Sequence, residues 1–198
     1  MRKIWSKWYI YLTTVAVVVT SFCIAVSFKT APKRTERVDF FIGAYDIKTE
    51  ELKKEIEKKK PSGVVEVELR FHYISSKDFT YIFANFRANV DCFILPYDYV
   101  SKNENDSVKY AANLDMDYMN SEFGKENVYY KFEDRGKGIK IYDAATKTGS
   151  LTNYIQYDTD DFQSDYYLFF SYKSVNLGKN NDSETDRAIK MAKELIQL

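Results

Sequence analysis

Cysteine is almost absent: the chain of 198 residues has two, Cys23 and Cys92, each inside an apolar run. Cys23 falls in a run near the amino terminus and Cys92 in a distant one, so the pair offers no disulfide framework. Without a Cys-x-x-Cys pair, zinc ribbons and thioredoxin-like redox chemistry are excluded, and Cys92 reads as a small core residue. Histidine occurs once, as His72. A Ser-His-Asp triad would have to use that residue, and no Gly-x-Ser-x-Gly turn accompanies it. With seven glycines there is neither a phosphate loop nor a Gly-x-Gly-x-x-Gly turn, and Gly136-Lys137-Gly138 has the spacing of an ordinary turn. The acidic loop Asp158, Asp160, Asp161 and Asp165 lacks the glycine and closing glutamate of an EF-hand, and reads as a solvated turn. These absences predict a protein that is not an enzyme and carries no cofactor or metal. Only three prolines, together with 45% apolar residues, exclude a disordered or fibrous chain.

Net charge is zero, 29 basic against 29 acidic groups, but it is unevenly placed. The first 30 residues hold Arg2, Lys3, Lys7 and Lys29 and no acid, which leaves 25 basic and 29 acidic groups, a net of −4, for the rest. A mildly acidic body without a basic block argues against nucleic acid as a partner. From Trp8 to Phe28 run 21 residues without a charge, 16 of them apolar, bracketed by Lys7 and Lys29. At about 1.5 Å per helical residue this run spans a hydrocarbon core of roughly 30 Å. Trp5, Trp8, Tyr9 and Tyr11 crowd one end, where amphipathic rings favour the headgroup level. A cleaved signal peptide competes with an anchor here, yet no Ala-x-Ala precedes the end of the run, and Phe22 before Cys23 is too large for lipoprotein processing. The expectation is therefore a single-pass anchor over 1–29, a linker over 30–37 and an extracellular domain over 38–198, located at the cell membrane.

Periodicity then predicts the elements. Val38 to Ala44 is a near-continuous apolar run, which suggests a strand covered on both faces. Asp46 or Thr49 can cap a helix bearing Leu52 and Ile56 on one side, with Glu50/Lys54 and Glu55/Lys59 as i,i+4 pairs, ended by Pro61-Ser62-Gly63. Val65, Val67, Leu69, Phe71 and Tyr73 alternate with Glu66, Glu68, Arg70 and His72, the pattern of a strand with one wet face near a sheet edge. Ser75 and Ser76 open a second helix, with Asp78 placed for a capping box and Phe79, Ile82, Phe83 and Phe86 as its buried stripe. Val90 to Pro96 is a further buried strand. Such a βαβαβ order implies right-handed crossovers and a parallel sheet layered with helices. Beyond it come a weak helix around Leu114 to Phe123, short β-like runs at Val128–Phe132, Ile139–Tyr142 and Tyr154–Tyr157, and a stronger one at Tyr166–Tyr172. A last helix is capped by Ser183, with Asp186 completing the box and Ala188, Ile189, Ala192, Leu195 and Ile196 buried.

Three segments, Val38 to Asp46, Val90 to Pro96, and Tyr166 to Gly178 leading into the Ala188 helix, resemble extracellular solute-binding proteins of bacterial ABC transporters. The resemblance implies an anchor followed by a βαβαβ three-layer lobe, like one lobe of a type II periplasmic binding protein. It also implies a small solute, sugar or peptide, presented to a membrane transporter. The body is long enough for one lobe, whereas the family closes two on a ligand. A lone lobe leaves a second reading, an interaction protein that docks on another membrane or envelope protein. In either case the candidate contacts lie at the carboxyl ends of the parallel strands, where open α/β sheets place their crevices. Those positions are Tyr45, Asp46, Ser75, Ser76 and Tyr97, the last with Asp98 beside it. The chain is also rich in tyrosine and phenylalanine, 17 and 14 residues, and tyrosine can stack on a ligand while its hydroxyl stays wet.

Overall fold

The computed structural model describes residues 2–124, 129–132, 135–155, 163–178 and 184–198, with the side chains of 2–6, 28–30, 105–106 and 132–136 left aside. The chain forms two compact units, Met1–Lys33 and Arg34–Leu198. The first is one helix, α1 (Arg2–Thr30). Its stretch Lys7–Ser27 is long and apolar enough to cross a membrane, with a mean hydropathy of 2.1 and no part buried by the protein. That exposure separates it from the core helix of a soluble domain, and it is compatible with an anchor or a signal sequence.

The second unit is mixed α/β. Strands β1 (Arg37–Ala44), β2 (Glu66–Tyr73) and β3 (Cys92–Pro96) are linked by helices α2 (Thr49–Lys58) and α3 (Phe79–Phe86). Both β2 and β3 pair with β1 in parallel. Short helices α4 (Tyr97–Lys102) and α5 (Glu104–Ser107) and helix α6 (Met116–Phe123) lead to the antiparallel strands β4 (Tyr129–Phe132), β5 (Arg135–Asp143), β6 (Thr148–Gly149) and β7 (Tyr166–Phe170). Helix α7 (Arg187–Ile196) closes the chain. The sheet order is β2-β1-β3-β7-β5-β4, with β6 beside β5. The three strands of the βαβαβ start are parallel, as their order predicts, and the sheet continues beyond them in the other sense: β7 runs antiparallel to β3, and the half beyond it is antiparallel throughout. The physical reason lies in the connections, because β4 and β5 are adjacent in sequence and can pair as a hairpin without a crossover helix. Tyr154 and Ile155 form a turn and an isolated bridge to Ile47 rather than a strand.

Alternation along β1 divides the core in two. Val38, Phe40, Ile42 and Ala44 join Leu52 and Ile56 of α2 and the buried stripe of α7 in one cluster. Phe41 turns the other way and packs with Phe79 and Phe83 of α3, Phe93 and Leu95 of β3, and Tyr99 and Val100 of α4. Both faces of β1 are dry, which is why its sequence reads as an unbroken apolar run. Gly43 makes the second cluster possible: a Cβ there would lie 2.5 Å from the Phe79 ring. β2 is an edge strand, as its alternation predicts.

Helix ends depart from the expected caps. Lys48 occupies the cap position of α2 with no side-chain bond. Ser76 lies in a turn ahead of α3, where its Oγ accepts the Asp78 N–H at 3.4 Å, and Asp78 is itself the cap residue. On α2 the ion pairs are Lys58–Glu55 and Lys48–Glu51, spaced i,i+3. Asp186 stands at the cap position of α7 and pairs with Lys190 at 3.0 Å, while Ser183 falls outside the described residues.

Near the amino ends of β1 and β3 two aspartates are enclosed, Asp39 at 1% and Asp91 at 0% exposure. Asp91 Oδ2 accepts from Arg34 at 2.7 Å and from the Asp39 N–H at 2.9 Å. Its Oδ1 accepts from Ser174 Oγ at 2.5 Å and Asn176 Nδ2 at 3.2 Å. Asp39 pairs with Arg37 at 2.8 Å. Arg34 and Arg37 are therefore part of the globular unit rather than a free basic run. Asn176 also donates to the Arg37 carbonyl at 3.0 Å and accepts from Thr185, so the network binds the first turn of the unit to the segment before α7.

Candidate functional site

At the opposite ends of the strands the sheet changes from parallel to antiparallel between β3 and β7, and the chain leaves β1 and β3 at Tyr45 and Tyr97. The Tyr97 N–H donates to the Asp165 carbonyl at 2.7 Å, and the Asp98 N–H donates to Ser164 Oγ at 3.1 Å. These bonds tie the start of α4 to the start of β7. Tyr45 joins from β1: its hydroxyl donates to Asp98 Oδ2, and its N–H donates to the Tyr166 hydroxyl at 3.3 Å. The other carboxylate oxygen, Asp98 Oδ1, is buried and takes no hydrogen bond among the described residues.

Register then assembles an aromatic patch. Leu95 faces Tyr167 across β3 and β7, Tyr167 faces Lys140 across β7 and β5, and Tyr130 faces Gly138 across β4 and β5. The Tyr97 ring lies 6.0 Å from Tyr130 and 6.2 Å from Tyr167, and the last two are 5.6 Å apart at a near-perpendicular angle. Such spacing is that of favourable edge and tilted aromatic contacts. Tyr97 is 48% exposed and Tyr167 is buried, so the group runs from solvent into the core. Gly138 belongs to the construction, since a Cβ there would meet the Phe169 ring at 2.6 Å.

Charges line the rim in satisfied pairs. Lys140 Nζ sits between Asp143 at 2.6 Å and Asp165 at 2.8 Å. Burial alone would push the Lys140 ammonium down, but the bonds to Asp143 and Asp165 outweigh it and hold the ammonium above its ordinary value. The bond from Lys140, followed by those from Thr146, holds Asp143 well below the usual carboxylate range. Burial, and then the bond to Glu104, pushes Tyr130 up to about 12. Burial and then Asp98 raise the Tyr45 phenol above its ordinary value, and burial raises Tyr167. Near neutral pH the phenols of Tyr45, Tyr130 and Tyr167 are uncharged donors. The patch can stack on a ring or apolar face and exchange hydrogen bonds with hydroxyl or amide groups.

Of the five expected contacts, the structure brings Tyr45 and the Tyr97-Asp98 pair together. Asp46 follows Tyr45 at intermediate exposure. Ser75 and Ser76 lie in the turn after β2, on the far side of β1 from β3, and join no bond of this group among the described residues. Asp98 stands with Tyr97 at the expected strand end, whereas sequence reasoning missed Tyr130, Lys140, Asp165 and Tyr167. All four come from the antiparallel half, and the available signal was the alternation of Y-Y-L-F-F, which sends Tyr166 and Tyr167 to opposite faces.

His72, expected on a wet face, is half-buried, stacked 5.2 Å from Phe41 and 5.9 Å from Phe86. Burial, and then the Arg70 charge, lowers its pKa. Cys92 is in the core, and burial pushes its thiol well up. Of the acidic loop, Asp158, Asp160 and Asp161 lie outside the described residues, and Asp165 is engaged as above. Among the described residues no group of three or more His, Cys, Asp or Glu is placed to hold a metal ion.

No family model matches the chain, and no curated protein matches it. Among solved structures, an ABC substrate-binding protein from Listeria monocytogenes in complex with cycloalternan is similar over 54% of this chain, at 19% identity and a TM-score of 0.36. The chain spans 29% of the length of that protein. That likeness carries no assignment, and the reading below rests on the side chains just described.

Proposed function

We propose that this chain is a membrane-anchored extracellular binding protein, accessory to transport, whose globular unit is built like one lobe of a type II periplasmic binding protein. The observation that carries the reading is the Tyr97, Tyr130 and Tyr167 patch together with Asp98 Oδ1, which takes no bond among the described residues, at the carboxyl ends of β1 and β3. Tyrosine faces supply contact area, and a buried acceptor without a partner favours a ligand that brings a donor. A small sugar or peptide has both. The protein is non-catalytic in this reading, supported by phenols that stay protonated and by carboxylates already paired with Lys140. A βαβαβ unit with α2 and α7 against one face and α3 and α4 against the other supports the three-layer lobe.

The test is a thermal-shift screen of the full chain in detergent against oligosaccharides, peptides and amino acids, followed by titration calorimetry. A ligand at one hundred times its dissociation constant should stabilise the protein by about 2.7 kcal/mol. Tyr97→Ala should abolish that shift while leaving the unliganded melting temperature nearly unchanged. A shift that survives both Tyr97→Ala and Tyr130→Ala moves the site elsewhere.

One observation favours a second reading, in which the patch docks on another membrane or envelope protein. Tyr97 is half exposed, and a half-open aromatic surface suits a protein interface. A photo-crosslinker at position 97 that captures one membrane protein in cells, with no solute giving a thermal shift, would select it.

A further inference from the structure

β2 ends the sheet, and its outer edge is unlike a protected one. Natural edges are blunted by proline, charged side chains (lysine above all), bulges or a short strand. This one is eight residues long, E-V-E-L-R-F-H-Y, without proline, lysine or bulge; its charges, Glu66, Glu68 and Arg70, are of both signs and can pair across a two-fold, and it pairs with β1 without a register shift. Among the described residues no strand covers its far side. The Ile74 N–H donates to the Ala44 carbonyl at 3.0 Å, which fixes the parity: even-numbered residues of β2 bond to β1, and Val67, Leu69 and Phe71 direct their main-chain groups outward.

We propose that this edge pairs with the same edge of a second copy, antiparallel about a two-fold axis at Leu69, and joins two sheets into one. The strand is complementary to itself in that register and in no neighbouring one that keeps the parity. With Leu69 opposite Leu69, Val67 faces Phe71 in hydrogen-bonded pairs. Glu68 then faces Arg70, and Glu66 faces His72, in the pairs whose side chains approach more closely. Sliding by one allowed step puts Glu68 against Glu68, or Arg70 against Arg70, both unfavourable. The same register sets Tyr73 beside Val65 of the other copy. These two are 53% and 55% exposed, large apolar side chains left open at the two ends of the strand. A self-complementary patch is what a two-fold interface requires, and confinement of both copies to one membrane would raise their effective concentration.

The experiment uses the full chain in detergent and in membranes. Light scattering should give twice the protein mass of one chain. Glu68→Arg alone and Arg70→Glu alone should each yield monomers, because both place like charges opposite one another. Mixing those two variants should restore a dimer that contains one of each, and the double swap in one chain should restore a homodimer. In a Cys23→Ser background, Leu69→Cys should form an intermolecular disulfide on mild oxidation, since hydrogen-bonded antiparallel pairs lie about 5.5 Å apart at Cα. Tyr81→Cys, exposed on α3, should form none. A monomeric wild type overturns the proposal, and so does a dimer that survives both single swaps, which would place the contact on α1 or another surface. Should a single swap fail to fold, the double swap in one chain and the Leu69→Cys disulfide decide the question.

Discussion

Near the amino ends of β1 and β3, Asp39 and Asp91 are enclosed by arginines, Ser174 and Asn176, whereas at the carboxyl ends Asp98 and the tyrosines stand half open, and Asp98 Oδ1 has neither a hydrogen bond nor an ion pair among the described residues. Both ends use carboxylates, and only their surroundings differ. A buried carboxylate such as Asp91, whose two oxygens accept four bonds, costs several kcal/mol when a partner is lost, so it holds structure together and has nothing to offer a ligand. A half-buried one with a free oxygen beside aromatic faces holds less and can bind more. The tyrosine end is therefore the functional candidate, although the aspartate end is the more elaborate network.

The largest effect that would sharpen this contrast is Asp91→Ala. It leaves Arg34, Ser174, Asn176 and the Asp39 N–H without their shared acceptor, and should destabilise the globular unit by about 3–5 kcal/mol in urea denaturation. A loss below about 1 kcal/mol, the scale of an exposed ion pair, would break the comparison.

Asp39→Asn should cost less, because burial outweighs its arginine partners and leaves its carboxyl above the ordinary carboxylate value. The sign follows from linkage. A carboxyl whose folded pKa is raised contributes stability that is fully present below its unfolded pKa and is lost as pH rises through the folded one. Stability measured from acid upward should fall through that window in the wild type, and the fall should shrink in Asp39→Asn. A larger loss from Asp39→Asn than from Asp91→Asn would reverse the ranking of the two sites.

Tyr130→Phe should have the smallest effect on folding, about 0.5–1.5 kcal/mol for the bond to Glu104. The Tyr130 phenol is pushed up to about 12, so its contribution is intact below the ordinary tyrosine pKa and is lost as pH rises through 12. Ultraviolet titration of the phenolate should lose one late step in the variant. Loss of a step at the ordinary tyrosine pKa instead would mean that Tyr130 is as solvated as a free tyrosine.

Much of the parallel half was legible in the chain. Val38 to Ala44, Glu66 to Tyr73 and Val90 to Pro96 carry strand periodicities, and Leu52/Ile56 and Phe79/Phe83 carry helical ones, because each element must present a dry face at a spacing set by its own backbone. Asp39 and Asp91 were hidden inside those apolar runs, since a single acid in a strand does not reveal whether an arginine will reach it. The site was half legible: Tyr45 and Tyr97 follow from the rule that open sheets bind at their carboxyl ends. Tyr130, Lys140 and Tyr167 did not, because they reach Tyr97 through antiparallel pairings between segments far apart in sequence.

By itself, then, the sequence determined an apolar helix over Lys7–Ser27, a βαβαβ start and a buried final helix, all properties of repeat spacing within one segment. Tertiary structure decided the strand order across β3, β7, β5 and β4, the saturation of Asp91 and the gathering of three tyrosines beside Asp98. Local periodicity reports which face of an element is dry, and it carries no information on which distant strand will cover that face or what side chains will meet across it.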